Sequence, residues 1–170
     1  MTPGNRTCFS PVAVSLALFG APLLPAQTDR EDARAVYAAA IEAIFHRDVD
    51  VGRPRMVEVQ RSTPRVPLGY VKRWEGVPAE MLDTLSASFN TPSVMDTADL
   101  PLGVEIRPDS ARGGISLSLS RIAFAQDSNQ ALVYVAVHCG HLCGGGDVFW
   151  LRRMMHHTWL VKQAITLWRS

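Results

Sequence analysis

Apolar residues recur between positions 115 and 168 in a pattern that constrains the fold of the whole chain. Alternation with serine at 115–120 predicts a strand with one buried and one polar face. Apolar residues at every position of 131–137 predict a central strand that is covered on both faces. Two further strands are predicted at 147–155 and 159–167, so the region predicts an antiparallel meander of four strands.

The apolar phase of the first strand changes partway along its length. Apolar residues occupy odd positions up to Leu119 and even positions at Ile122 and Phe124. Because a slip of one residue reverses every side chain, a β-bulge near Arg121 is expected to keep both sets on the core. In the last strand one face is predicted to carry four apolar residues: Trp159, Val161, Ile165 and Leu167.

The segments before the meander predict helices and one short strand. Thr28 and Glu31 have the spacing of a capping box, and an apolar stripe predicts a helix over 29–47. A second helix is predicted over 78–89, and a short strand over 55–61. With both helices expected on one side of the meander, the fold class is α+β.

The N-terminal residues have the features of a secretory signal peptide. Arg6 precedes an almost wholly apolar run over 12–24, and small Ala26 is the expected last residue before cleavage. A membrane anchor is a poorer interpretation, because the run has about 13 residues where about 20 are needed. We therefore expect a signal peptide over 1–26 and one exported domain over 27–170, in the periplasm or secreted.

Export would leave two cysteines in the mature chain, because Cys8 lies within the signal peptide. An even pair in an exported protein favours a disulfide between Cys139 and Cys143. The alternative is a redox-active pair. It is less favoured, because redox pairs have a shorter spacing and lie at a helix N-terminus.

A metal site is a second interpretation of the same segment. Four residues supply the nitrogen and sulfur ligands that suit zinc or copper(I): His138, Cys139, His141 and Cys143. The glycines around them favour a turn, and oxidation would remove the thiolates. The adjacent His156 and His157 would point to opposite faces of a strand, and an exposed turn is the simpler interpretation. We predict no metal and no cofactor.

The segment ALVYVAVHCGHLCGGGDVFWLRRMMHHTWLVKQAITLWRS resembles the C-terminal part of a group of exported bacterial proteins. Those proteins have a Cys-Gly-x-x-Cys-Gly hairpin between two apolar strands, followed by a last strand with tryptophan. The order of elements is also similar to the nuclear transport factor 2-like (cystatin-like α+β) superfamily. That resemblance implies a curved sheet wrapped around helices into a cone, with a pocket that serves enzymes, binding domains or assembly modules.

The same resemblance implies candidates for acid–base catalysis. Superfamily enzymes with this outline use a His and Asp pair at the mouth of the cone. The candidates are His46 with Asp48 or Asp50, and His138. A hydrolase, dehydratase or isomerase is thus one expectation, although no catalytic sequence motif is present.

A net charge of +1 gives no electrostatic reason to expect a nucleic-acid partner. Trp150, Trp159 and Trp168 are predicted to pack in the core and at the sheet edge rather than to form a ligand cage. Arg152 with Arg153 is a candidate anion patch, with an exposed, solvated arginine as the simpler interpretation. The favoured function is non-catalytic binding of a small ligand or a partner protein. No membrane span is expected after signal cleavage. A homodimer formed through the sheet is a third possibility.

Overall fold

A computed structural model describes residues 25–47, 57–60, 74–90, 96–107, 115–139, 143–155 and 157–170. Two helices are present in these ranges, α1 (Pro25–Arg47) and α2 (Ala79–Asn90), together with a short 3-10 helix (Thr97–Asp99). The strands are β1 (Val57–Gln60), β2 (Val104–Arg107), β3 (Ser116–Leu119), β4 (Ala123–Phe124), β5 (Gln130–His138), β6 (Gly144–Arg153) and β7 (Trp159–Arg169). The expected α+β class and four-stranded meander are both confirmed.

The strands form one open sheet in the order β2-β1-β3-β5-β6-β7, with β4 also paired to β5. From β3 onward the pairs are antiparallel, as the meander requires. At the other edge β1 runs parallel to both β2 and β3. Neither the parallel pairing nor β2 was predicted. The direction of pairing depends on contacts between segments that are distant in the chain.

A one-residue bulge separates β3 from β4, as expected near Arg121. Leu119 pairs with Val135, whereas Ala123 pairs with Leu132, so β3–β4 has one residue more than β5 between these points. The Ser120 side chain bridges the gap, since its Oγ accepts a 2.9 Å hydrogen bond from the Tyr134 backbone N–H. The bulge keeps Leu117, Leu119 and Phe124 against the α1 core, whereas Ala123 packs in the core on the other face.

Two apolar cores lie on opposite faces of the sheet. The first is formed by α1 with alternate residues of the central strands, including Ile44, Leu117, Val135 and Phe149. The second is formed by α2 with the intervening residues, including Met81, Leu85, Leu132, Tyr134 and Trp150. The expectation that both helices cover one side was wrong. The cause is visible in β5, which is buried on both faces and therefore needs a cover on each.

The last strand contributes to both cores, so the prediction of a single apolar face was wrong. Its pairing with β6 shifts register between Gly146 and Asp147 and again between Trp150 and Leu151. Trp159 and Val161 pack in the α1 core, whereas Ile165 and Leu167 pack against the α2 core. A bulge reverses the face on which every later side chain lies.

Helix α1 begins at Pro25, earlier than expected, and Thr28 lies inside it rather than at a capping position. Proline suits the first helical turn because its ring already fixes the helical φ angle. Residues 1–24, which make up nearly all of the predicted signal peptide, lie outside the described residues. In the part of the chain that is described, no helix combines the length and apolar character needed to cross a membrane.

Candidate functional site

A cavity of about 510 Å³ opens on the α2 side of the sheet, beside the hairpin formed by β6 and β7. Polar side chains from the β4–β5 turn and the hairpin line most of it: Asp127, Asn129, Gln130, Arg152, Arg153 and Lys162. Trp150 and Gly76 complete the lining. This volume is within the usual range of about 300–1,000 Å³ for small-molecule sites.

Trp150 forms a fixed apolar wall of the cavity. Its side chain is buried, and its Nε1–H donates a 2.9 Å hydrogen bond to Gln130 Oε1. The ring meets the edge of Trp74 at 6.1 Å between centroids. Lys162 Nζ lies 3.6 Å from the centroid of the Trp150 ring, a cation–π contact that places the ammonium group at the cavity.

The cavity has an excess of positive charge. Three cationic side chains, Arg152, Arg153 and Lys162, face one carboxylate, Asp127. That carboxylate is engaged locally, because it accepts hydrogen bonds from the Asn129 backbone N–H at 3.0 Å and from Asn129 Nδ2 at 3.4 Å. The remaining positive charge favours an anionic ligand over a neutral or cationic one.

Arg153 also reaches the other face of the molecule, where it contacts a buried carboxylate. Asp32 of α1 accepts hydrogen bonds from Arg153 Nη2, from Trp159 Nε1–H at 3.2 Å and from His157 Nδ1 at 2.9 Å. The Arg153 guanidinium lies 5.3 Å from the Trp159 ring centroid. We call these four residues the Asp32 cluster. It fixes the turn between β6 and β7 against α1.

His157 is oriented by Asp32 in the manner of a catalytic His and Asp pair. It has φ of 60°, so the turn holds a strained residue in place. Its second nitrogen, Nε2, lies 3.9 Å from Glu31 Oε2. His157 does not line the described cavity. In this geometry the contact between His157 and Asp32 holds the β6–β7 hairpin against α1.

Sequence reasoning missed this pair, since its two members are 125 positions apart in the chain. One signal was available. Asp32 lies four residues before Val36 and is therefore on the buried stripe of α1, where an unpaired carboxylate would be costly. A charged residue in that position predicts a basic or hydrogen-bonding partner, although it does not identify which one.

The structure brings together the two cysteines of the predicted disulfide, as expected. The Cα atoms of Cys139 and Cys143 are 5.0 Å apart, and the two sulfurs are within disulfide-bonding distance. The Cys139 backbone N–H donates a 3.0 Å hydrogen bond to the Cys143 carbonyl, which closes the turn. His141, a member of the alternative metal set, lies outside the described residues. No group of three or more metal-binding side chains occurs among the residues that are described.

His138 faces the α2 side of the sheet and does not line the cavity described above. Its Nε2 is 3.1 Å from Ser118 Oγ, and its ring centroid is 5.9 Å from that of Trp168. Burial lowers the pKa of His138 below its ordinary value. In this position the imidazole packs between a serine hydroxyl and an indole on the face of the strand.

His46, the other catalytic candidate, is exposed on α1. It lies 3.6 Å from Glu42, one helical turn away, in an ordinary surface pair. Its expected partners Asp48 and Asp50 lie outside the described residues, as does His156. The three tryptophans pack as predicted: Trp150 and Trp159 are buried, and Trp168 Nε1–H donates to Tyr134 Oη at 2.8 Å.

The chain matches no protein-family model, no curated protein and no solved structure. The resemblance to exported bacterial proteins and to the nuclear transport factor 2-like superfamily therefore stays a prediction. The geometry of the cavity and of the Asp32 cluster is the basis on which a function is proposed.

Proposed function

We propose that this protein is a non-catalytic binding module that captures a small anionic ligand in the cavity beside the β6–β7 hairpin. The observation that supports this most directly is the convergence of Arg152, Arg153 and Lys162 on one cavity of about 510 Å³. Cationic side chains repel one another, so placing three together is favourable only with compensating negative charge. Asp127 and Asp32 supply part of it, and a bound anion would supply more.

The lining of the cavity favours binding over chemistry. Its residues in the described part of the chain include no histidine, cysteine or serine, the side chains that most often form a nucleophile and base pair. The side chains present include hydrogen-bond donors of the kind that fix an oxyanion. Arg152 offers a planar pair of donors that suits a carboxylate or phosphate, and Lys162 offers a compact charge.

Titration with orthophosphate and with succinate tests the proposal, with the midpoint of thermal unfolding as the readout. A ligand that binds only the folded state raises this midpoint as its concentration increases. We expect a rise for the native protein that is largely lost in Arg152→Gln and Lys162→Gln. Arg47→Gln is the matched control, because Arg47 is an exposed arginine outside the cavity. An equal rise in all four proteins would reject the cavity as the site.

A second candidate is a small hydrolase, dehydratase or isomerase that uses His157 as base and Asp32 as its orienting carboxylate. The observation in its favour is the 2.9 Å contact between His157 Nδ1 and Asp32 Oδ1. It is second because Nε2, the nitrogen that would act on substrate, lies near Glu31. Hydrolysis of p-nitrophenyl acetate that is lost in His157→Gln, with folding intact, would place this candidate first.

We further infer that the chain is exported to the periplasm or beyond. The N-terminal apolar run and the placement of Cys139 and Cys143 at disulfide-bonding distance both support this. Binding at the cavity needs no nuclear transport factor 2-like cone. That arrangement has its helices on one concave face, whereas α1 and α2 lie on opposite faces of this sheet.

A further inference from the structure

Three large apolar side chains are exposed together at the end of the β6–β7 hairpin. Met154, Met155 and Leu160 are 56%, 77% and 52% exposed. We call them the apolar tip. The Met154 backbone N–H donates to the Thr158 carbonyl at 2.8 Å, and the Thr158 N–H donates to the Met155 carbonyl at 3.1 Å, so hydrogen bonds join the described residues of the turn. The Asp32 cluster holds the same turn from the side of α1.

Cationic side chains of the cavity adjoin the apolar tip. Leu160 pairs in register with Arg152, and Lys162 follows two residues later on β7. Three carboxylates lie near the turn in the described part of the chain, and all are engaged: Asp32 binds His157 and Arg153, Glu31 faces His157, and Asp127 binds Asn129. The hairpin end therefore combines a projecting apolar surface with adjacent positive charge, which is the combination found in segments that bind anionic membranes.

We propose that the hairpin end docks on an anionic lipid surface. The apolar tip enters the headgroup region, while Arg152 and Lys162 bind lipid phosphates. This inference rests on the proposed function, because it identifies the phosphate group of a lipid as the anion that the cavity takes. The phosphate group of phosphatidylglycerol has the charge and donor requirements that an arginine and a lysine satisfy.

The size and shape of the apolar tip favour a membrane over a protein partner. A stable protein interface buries about 800 Å² on each side, and three side chains at the end of one hairpin fall short of that. A fluid lipid interface needs no complementary pocket and accepts a small convex apolar group. Methionine suits such a surface because its unbranched side chain adapts to irregular surroundings.

Co-sedimentation with vesicles tests the proposal, using vesicles of phosphatidylcholine alone and vesicles with 30% phosphatidylglycerol, as about that anionic fraction gives a marked surface potential. We expect binding to the anionic vesicles only, and weaker binding in 0.5 M salt because screening is then stronger. The variant Met154→Ser/Met155→Ser should bind these vesicles about tenfold more weakly and keep its response to orthophosphate. Leu102→Ser is the control, because Leu102 is an exposed apolar residue near β2, at the other edge of the sheet.

The charged variant separates the two proposals. Arg152→Gln/Lys162→Gln should lose both vesicle binding, by roughly fivefold for each charge removed, and the orthophosphate response. Orthophosphate binding without vesicle binding would overturn membrane docking and leave the proposed function standing. Absence of both responses would overturn both. Equal binding to neutral and anionic vesicles, or vesicle binding unchanged in the methionine variant, would also overturn the docking proposal.

Discussion

His157 Nδ1 lies 2.9 Å from Asp32 Oδ1, although the two residues are 125 positions apart in the chain. The contact joins the first helix to the turn between the last two strands. Because Asp32 is buried and also binds Arg153 and Trp159, its charge is compensated only when α1, β6 and β7 are assembled. Position 32 therefore links the stability of the fold to the placement of the hairpin and of Arg153 at the cavity.

Replacement Asp32→Asn should destabilise the protein strongly. It removes the charge that compensates Arg153, and breaking a buried ion pair from one side costs about 3–5 kcal/mol. We expect the lower end of this range, because the Arg153 side chain is 25% exposed. Urea unfolding followed by circular dichroism measures the change. Glu31→Gln is the neighbouring control and should alter the free energy of unfolding by less than about 0.5 kcal/mol.

Replacement Gly146→Ala should also destabilise the protein, for a steric reason. An added Cβ would overlap Trp168 Nε1 and Tyr134 Oη, the two atoms that form a partly buried hydrogen bond. Overpacking of this kind typically costs about 1–3 kcal/mol. The comparison is Gly103→Ala, where φ is 84° but no atom lies within 4 Å of the new Cβ. If Gly103→Ala proves the more harmful of the two, steric overlap is not the dominant effect.

The Cys139–Cys143 pair should be a disulfide in the exported protein. Intact mass should be lower by two hydrogens than for the dithiol, and alkylation should require prior reduction. The same mass also shows at which residue the mature chain begins, and so tests cleavage after Ala26. The double variant Cys139→Ser/Cys143→Ser should lose at most about 2 kcal/mol, because so short a loop restricts the unfolded chain only weakly. Two free thiols with bound zinc or copper would instead support the alternative metal site.

The stability of the protein should fall in mild acid partly through His138. Burial lowers the pKa of His138 in the folded state, while the unfolded chain keeps a pKa near about 6.5. Below that pH the unfolded state binds a proton that the folded state does not, so the free energy of unfolding decreases as pH falls toward the folded pKa. In His138→Gln the free energy of unfolding should decrease less steeply between pH 7 and 5, the range in which histidine ordinarily titrates. An identical pH profile would remove His138 as the cause.

The sequence predicted the parts of the fold that depend on local pattern. The bulge near Arg121 follows from a visible change of apolar phase, and the two-sided burial of β5 follows from its continuous apolar run. The shifts in β7 were missed because Gln163 and Lys162 interrupt its pattern without showing where the register moves. The placement of α2 was missed for a different reason. The apolar run of β5 predicts that both faces of the sheet are buried, but it does not show which helix packs on which face.

The candidate site was harder to predict, because it depends on contacts between distant segments. Arg152 and Arg153 were recognised as a possible anion patch, but the cavity also needs Lys162, Gln130 and the turn at Asp127. A cation–π contact between Lys162 and Trp150 has no sequence signature, because a bulge sets the face of Lys162. The Asp32 cluster depends on pairing across the whole chain in the same way.

The register shifts of β7 have a consequence for how the molecule folds. Because β7 supplies apolar residues to both cores, neither core is complete before it is added. It also supplies Arg169, whose Nη2 lies 2.9 Å from Oδ2 of the fully buried Asp147. A sheet that ends at β6 would therefore leave two incomplete cores and an uncompensated charge.

Such an intermediate has little stability of its own, so the α1 core and the α2 core are not independent folding units. We expect addition of β7 to be part of the main folding barrier, with α1 and α2 docking on their separate faces in a single cooperative event.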